Sequence, residues 1–164
     1  MNPEELLKKV QEDQLYQDWQ KQHPQGFLSH FFCSLDENIN EKSNWDTGFY
    51  DPEAEKITVF TEVNGKQIIK PADDVFKKKE MKVEELDLSL VKISYDEAKK
   101  IFTENFSEYF PGEIKGDGFI VLQKFQGKTE WNFTFISKKI KFLNLKVSVE
   151  DGKVNSHETI NLVQ

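Results

Sequence analysis

The chain contains no arginine: all 22 basic residues are lysine, set against 29 acids for a net charge of −7. Phosphate and base recognition relies on a positive stripe and on the guanidinium fork, so nucleic acid is excluded as a partner. Cys33 is the single cysteine, so no internal disulfide can form. No apolar run approaches the roughly 18 residues that a membrane span needs. The opening Met1-Asn2-Pro3-Glu4-Glu5 is acidic and polar, unlike a secretory leader. Together these absences predict a cytoplasmic chain with no membrane partner. No His or Cys pair has metal-ligand spacing, and no glycine-rich segment leads a helix with a Lys-Ser/Thr end. Neither a metal nor a cofactor is therefore expected.

What is present is aromatic. Among 164 residues there are 14 phenylalanines, 4 tyrosines and 3 tryptophans. Each large ring buries on the order of 150–250 Å², which helps a short chain build a core. Residues 3–22 carry a ragged apolar stripe without glycine and predict one helix, stopped by His23-Pro24. Residues 27–35, 45–50 and 57–63 alternate as strands, and Asn64-Gly65 is a hairpin signal before Gln67-Ile68-Ile69. Residues 94–110 form the clearest helix: Ser94-x-x-Glu97 is a capping box, and Pro111-Gly112 is a stop. Strands are predicted at 119–125, 131–136, 140–149 and 154–162. In the third of these the apolar phase changes after Phe142, which predicts a β-bulge.

Two stretches read alike. Residues 24–66 contain Pro24, Gly26-Phe27, Trp45-x-x-x-Phe49, Lys56-Ile57 and Asn64-Gly65-Lys66. Residues 111–153 contain Pro111, Gly118-Phe119, Trp131-x-x-x-Phe135, Lys139-Ile140 and Asp151-Gly152-Lys153. The expectation is an α+β tandem repeat. It has two similar units, 1–70 and 93–164, each one helix packed on a three- to four-stranded antiparallel meander. A charged linker at 71–92 separates them, partly packed through Val75, Phe76, Leu86, Leu88 and Leu90.

Lys92-Ile93-Ser94-Tyr95-Asp96-Glu97-Ala98-Lys99-Lys100-Ile101 resembles the opening helix of PepSY domains. The proline-glycine stop, the Gly-Phe strand and the strand led by Trp131 are also similar. In the first half, Trp45, Phe49, Tyr50, Asp51, Lys56 and Ile57 resemble the end of that pattern. The resemblance implies a cystatin-like helix-on-sheet fold and a role in restraining peptidases or binding other proteins. It implies no catalytic residue.

Individual residues supply little chemistry. His23, His30 and His157 are far apart. A Cys33–His30 pair would point to opposite faces of one strand, which defeats activation of the thiol. Asp73-Asp74 and Glu84-Glu85 sit in the linker, where water keeps carboxyls ordinary. Lys115-Gly116-Asp117-Gly118 reads as a turn. With no catalytic set, the expected role is a non-enzymatic protein-binding module, its contacts made by apolar groups on the second face of each sheet: Phe32, Tyr50, Phe60 and Ile136. The other expectation is a carrier of small apolar ligands, with a pocket between helix and sheet lined by Trp45, Phe31, Trp131 and Phe106.

Overall fold

The computed structural model describes residues 1–71 and 82–162. Helix α1 (Pro3–Glu12) is capped by Asn2, whose side chain accepts from the Glu4 and Glu5 amides. The chain then breaks where a single helix was expected. Asp13 leaves helical geometry, and its carboxylate accepts from the Leu15 amide at 2.9 Å to start α2 (Gln14–Gln22). An aspartate that can cap competes with helix continuation.

Strands β1 (Phe27–Leu35), β2 (Asp46–Asp51), β3 (Lys56–Val63) and β4 (Lys66–Ile69) form one meander. The segment 82–94 contains a single 3₁₀ turn at Leu88–Leu90 and leads into α3 (Tyr95–Tyr109). Then come β5 (Lys115–Phe125), β6 (Lys128–Ser137), β7 (Lys141–Ser148) and β8 (Val154–Asn161).

All eight strands join one antiparallel sheet in the order β4-β3-β2-β1-β5-β6-β7-β8. The expected pair of PepSY-like, cystatin-like helix-on-sheet units is therefore corrected: the described residues are sheet-rich with three helices, and no tandem pair of units is seen among them. The physical reason is the seam. β1 and β5 pair from His30↔Gln123 to Leu35↔Gly118, which satisfies backbone groups that two separate units would leave bare along an edge. The matched sequence sets also land in unlike places. Trp45 precedes β2 and donates its indole N–H to Glu41 at 3.0 Å, whereas Trp131 lies within β6 and donates to the Ile93 carbonyl at 2.9 Å. Ile57 lies in a strand, whereas Ile140 lies in the β6–β7 turn. Tyr95 touches both tryptophans, at 5.1 and 5.8 Å between ring centroids, and so ties the two flanks of the sheet together.

One sheet face is covered by all three helices. Along the central strands it carries Phe31, Cys33, Leu35, Ile120, Leu122, Trp131, Phe133, Phe135, Leu143, Leu145 and Val147, all essentially inaccessible. Tyr16 and Trp19 of α2 pack on Phe49 and Phe60, and Phe102 of α3 stacks on Phe133 at 4.8 Å. The expected bulge in β7 is absent. β6 and β7 pair regularly from Glu130↔Ser148 to Ile136↔Phe142. Phe142 simply faces the other way from Leu143, because both faces of this strand hold apolar groups. Bulges occur instead at Ser29, at Gly116–Asp117 and at Asn155.

The described part of the expected linker is packed. The Leu86 amide donates to the Leu28 carbonyl at 2.9 Å, and the Lys92 and Ile93 amides both donate to the Val149 carbonyl at 2.8 Å. Asp73, Asp74, Val75 and Phe76 lie outside the described residues.

Candidate interaction surface

No helix among the described residues crosses the second sheet face. Cross-strand register assigns its residues: Phe27 opposes Tyr50, and Phe32 opposes Val121. Further along, Ile136 opposes Phe142, which opposes Ile160. Phe32 stacks on Phe119 at 5.4 Å, and Phe27 meets Tyr50 at 5.6 Å. These ring pairs leave Phe32 and Phe119 half-buried and Tyr50 buried even though no helix lies over them.

The four residues expected at a partner surface are thus separated. Phe32, Tyr50 and Ile136 share the helix-free face. Phe60 lies on the other face, fully buried beneath Tyr16 and Trp19, beyond a partner's reach. Its strand neighbours Val59 and Thr61 are the ones on the free side, so the parity of β3 decides the matter.

Eight large apolar side chains are exposed among the described residues. Val63, Ile68 and Ile69 sit at the β3–β4 hairpin. The other five gather at one corner of the sheet. Ile136 and Ile160 flank Phe142 in register. Backbone hydrogen bonds bring the rest alongside: Leu162 amide to Ile140 carbonyl at 3.2 Å, and Lys138 amide to Ile114 carbonyl at 2.8 Å.

Ile140 is unusual in two ways. Its φ is +57°, in the left-handed region that suits glycine or asparagine and penalises a β-branched side chain. It is also 52% exposed. Ile39 has a similar φ of +64° but is only 5% exposed, so burial offsets its strain. Ile140 has little such compensation. Strained positions that packing does not explain concentrate at functional sites.

The corner is lysine-flanked. Lys138 reaches Glu37 at 3.5 Å, and Lys141 holds Glu113 at 2.9 Å, which keeps the Glu113 carboxyl below the usual range. Lys139 stands between them in the same turn, with no short ion pair among the described residues.

The sheet's two outer edges differ. β4 has four residues and is bounded by Lys66 and Lys70, a short edge guarded by charge. β8 has eight residues with neither lysine nor proline, and its one bulge, at Asn155, lies near its start. Its last six positions pair regularly with β7.

Other groups with chemical potential are engaged or inaccessible. Ser29 Oγ lies 2.8 Å from His30 Nδ1, but Ser29 is buried where no substrate could meet its hydroxyl. Burial lowers the His30 pKa, while Asp46 on the same face pulls it up, and Lys70 in turn binds Asp46 at 2.8 Å. Cys33 lies on the helix-covered face, away from His30, with its thiol against the Ser43 carbonyl and its pKa raised by burial. His23 Nδ1 sits 2.6 Å from Asp51 Oδ2, holding the Asp51 carboxyl below its ordinary value. His157 lies against the Tyr109 ring at 4.3 Å. Among the described residues no three His, Cys, Asp or Glu side chains converge on a metal position. No helix among them is long and apolar enough to cross a membrane.

The four rings expected to line a pocket between helix and sheet differ in setting. Phe31 and Trp131 are fully buried and Trp45 nearly so, while Phe106 borders a separate hollow of about 380 Å³ with Glu113 and Ile114. A larger cleft of about 680 Å³ lies elsewhere, between α1–α2 and residues 85–89, lined by Leu7, Tyr16, Leu28, Phe49, Leu86 and Leu88 among others.

The sequence reading missed Ile114, Ile140, Ile160 and Leu162. A lone isoleucine among Lys138, Lys139 and Lys141, in a turn with no glycine, was the available signal for the first pair's corner.

No family model matches the chain, and no curated protein matches it. Among solved structures, a candidate lipoprotein of Clostridium difficile 630 is similar over 88% of this chain and 90% of its own, at 13% identity and a TM-score of 0.45. A likeness of that size says nothing about role.

Proposed function

We propose that this chain is a non-enzymatic protein-binding module whose contact surface is the lysine-flanked apolar corner formed by Ile114, Ile136, Ile140, Ile160 and Leu162. The observation that carries the reading is Ile140, a strained β-branched residue left half in water. A fold selected only for stability would place asparagine or glycine there. Exposed apolar patches rimmed by polar groups mark association sites. The test is cross-linked capture from the native host with wild type, Ile140→Asn and the distal control Ile68→Asn. The reading predicts a species held by wild type and by the control but lost from Ile140→Asn. Capture indifferent to Ile140 refutes it.

A second reading has its own observation, the 680 Å³ cleft with its apolar lining. Pockets of that size accept small ligands. Titration with fatty acids and apolar metabolites, followed by Trp19 fluorescence, tests it; a flat response across the panel ends it.

A further inference from the structure

We infer that β8 is a strand-addition site, at which an extended segment of an acidic partner protein pairs with the outer edge of the sheet. This rests on the protein-binding reading and names the partner's chemistry and geometry. An outer strand presents a row of backbone N–H and C=O groups that can template a further strand, and proteins usually blunt such edges. Here one edge is strongly blunted, whereas the other has only Glu158 and a bulge at its start. β4 is short and bounded by Lys66 and Lys70. β8 is twice its length, lacks lysine and proline, and stays in regular register from Ser156 to Asn161. The single bulge, at Asn155, is pinned by that residue's own amide on Glu130 at 2.7 Å, so it interrupts only the beginning of the edge.

The same edge runs into the apolar corner. Ile160 lies on the helix-free face, and Leu162 follows the strand beside Ile140. An added strand would place every second side chain on that face, where valine, isoleucine or leucine would cover Ile160 and Leu162. Its end nearest the β6–β7 turn would meet Lys139, which has no ion pair among the described residues, so an acid is expected there. An anionic membrane is the less favoured occupant. A row of backbone N–H and C=O groups in regular register pairs with an extended chain, and a lipid headgroup offers no matching ladder.

The experiment uses the full chain and four octapeptides, the last two differing only in which backbone amides are methylated. One opens with two glutamates and continues with alternating valine and threonine. The second replaces the glutamates with lysines. The third and fourth keep the first sequence but N-methylate alternate backbone amides, one on each set. Amide NMR and hydrogen exchange of the protein are followed on titration. The expected result is slowed exchange confined to Ser156–Asn161, at least about tenfold weaker binding of the lysine peptide, and loss of binding for one N-methylated register. The variant Ile160→Thr weakens the acidic peptide through the lost apolar contact, and because Ile160 is half exposed and threonine suits a strand the chain stays folded, as its unchanged amide spectrum elsewhere will show.

Several results overturn the inference. One is perturbation away from β8. A second is indifference to both methylated registers. A third is a wild-type dimer in sedimentation with β8 already protected, which makes a second copy the occupant. A fourth is preferential binding to phosphatidylcholine–phosphatidylserine vesicles. If cross-linked capture depends on Ile140 but β8 amides never change, strand addition fails while the binding module stands. If capture also ignores Ile140, both fail.

Discussion

Replacing Ile140 by asparagine tests the strain argument directly. Left-handed geometry costs a β-branched residue about 1–2 kcal/mol, and asparagine largely escapes that cost. Fully burying an isoleucine side chain is worth about 1.5–3 kcal/mol, and Ile140 is 52% exposed, so roughly half of that is forfeited, about 0.7–1.5 kcal/mol. The two effects nearly cancel. Ile140→Asn is therefore expected within about 1 kcal/mol of wild type, on the stabilising side if either. Ile39→Asn is the matched control, at φ +64° but 5% exposed. It regains the same 1–2 kcal/mol, loses the full burial and strands an amide in the core for about 1–3 kcal/mol more, a net loss of roughly 0.5–5 kcal/mol centred on about 3 kcal/mol. Urea unfolding followed by tryptophan fluorescence measures both. A loss above about 2 kcal/mol for Ile140→Asn, or none for Ile39→Asn, refutes the reasoning.

Three further outcomes are expected. Gly48 lies under the His30 ring, where an added Cβ would collide with Cε1 and Nδ1, so Gly48→Ala displaces the imidazole and returns its pKa, read by NMR titration, toward the ordinary value near about 6.5. In wild type the depressed His30 value means that protonation favours the unfolded chain; its share of stability is intact above the ordinary imidazole range and is lost as pH falls toward the folded value. The Asp51 carboxyl, held low by His23, contributes stability above the ordinary carboxylate range and loses it as pH falls through the depressed value, so Asp51→Asn should flatten the acid limb of a urea-midpoint profile. Cys33, buried with a raised pKa, should resist a thiol-labelling reagent in the native protein and react fully in urea; fast native labelling would contradict its placement.

Much of the local structure was legible because it depends on neighbours in sequence. The Ser94 cap, the Pro111-Gly112 stop and the Asn64-Gly65 and Asp151-Gly152 turns need only adjacent residues, and strand alternation in 131–136 matches its burial. The sheet's continuity was not legible, because pairing of β1 with β5 joins residues about ninety positions apart and no short pattern encodes a partner at that range. Two similar residue sets suggested two objects, whereas backbone satisfaction at the seam makes one. The side of Phe60 is not legible, because β3 carries apolar groups on both faces and alternation alone does not say which one meets α2. Ile140 was grouped with the β7 strand, and only its φ reveals it as a turn residue.

The pairing of β1 with β5 also has a consequence for synthesis. The end of β5 leaves the ribosome about ninety residues after the end of β1, a wait of roughly 5–18 s at about 5–20 residues per second. Throughout that interval the inner margin of β1, later the middle of the molecule, stands bare with Phe31, Phe32 and Cys33 along it. Nascent chains on one messenger could zip together there, and holding chaperones should matter most while translation passes through that stretch.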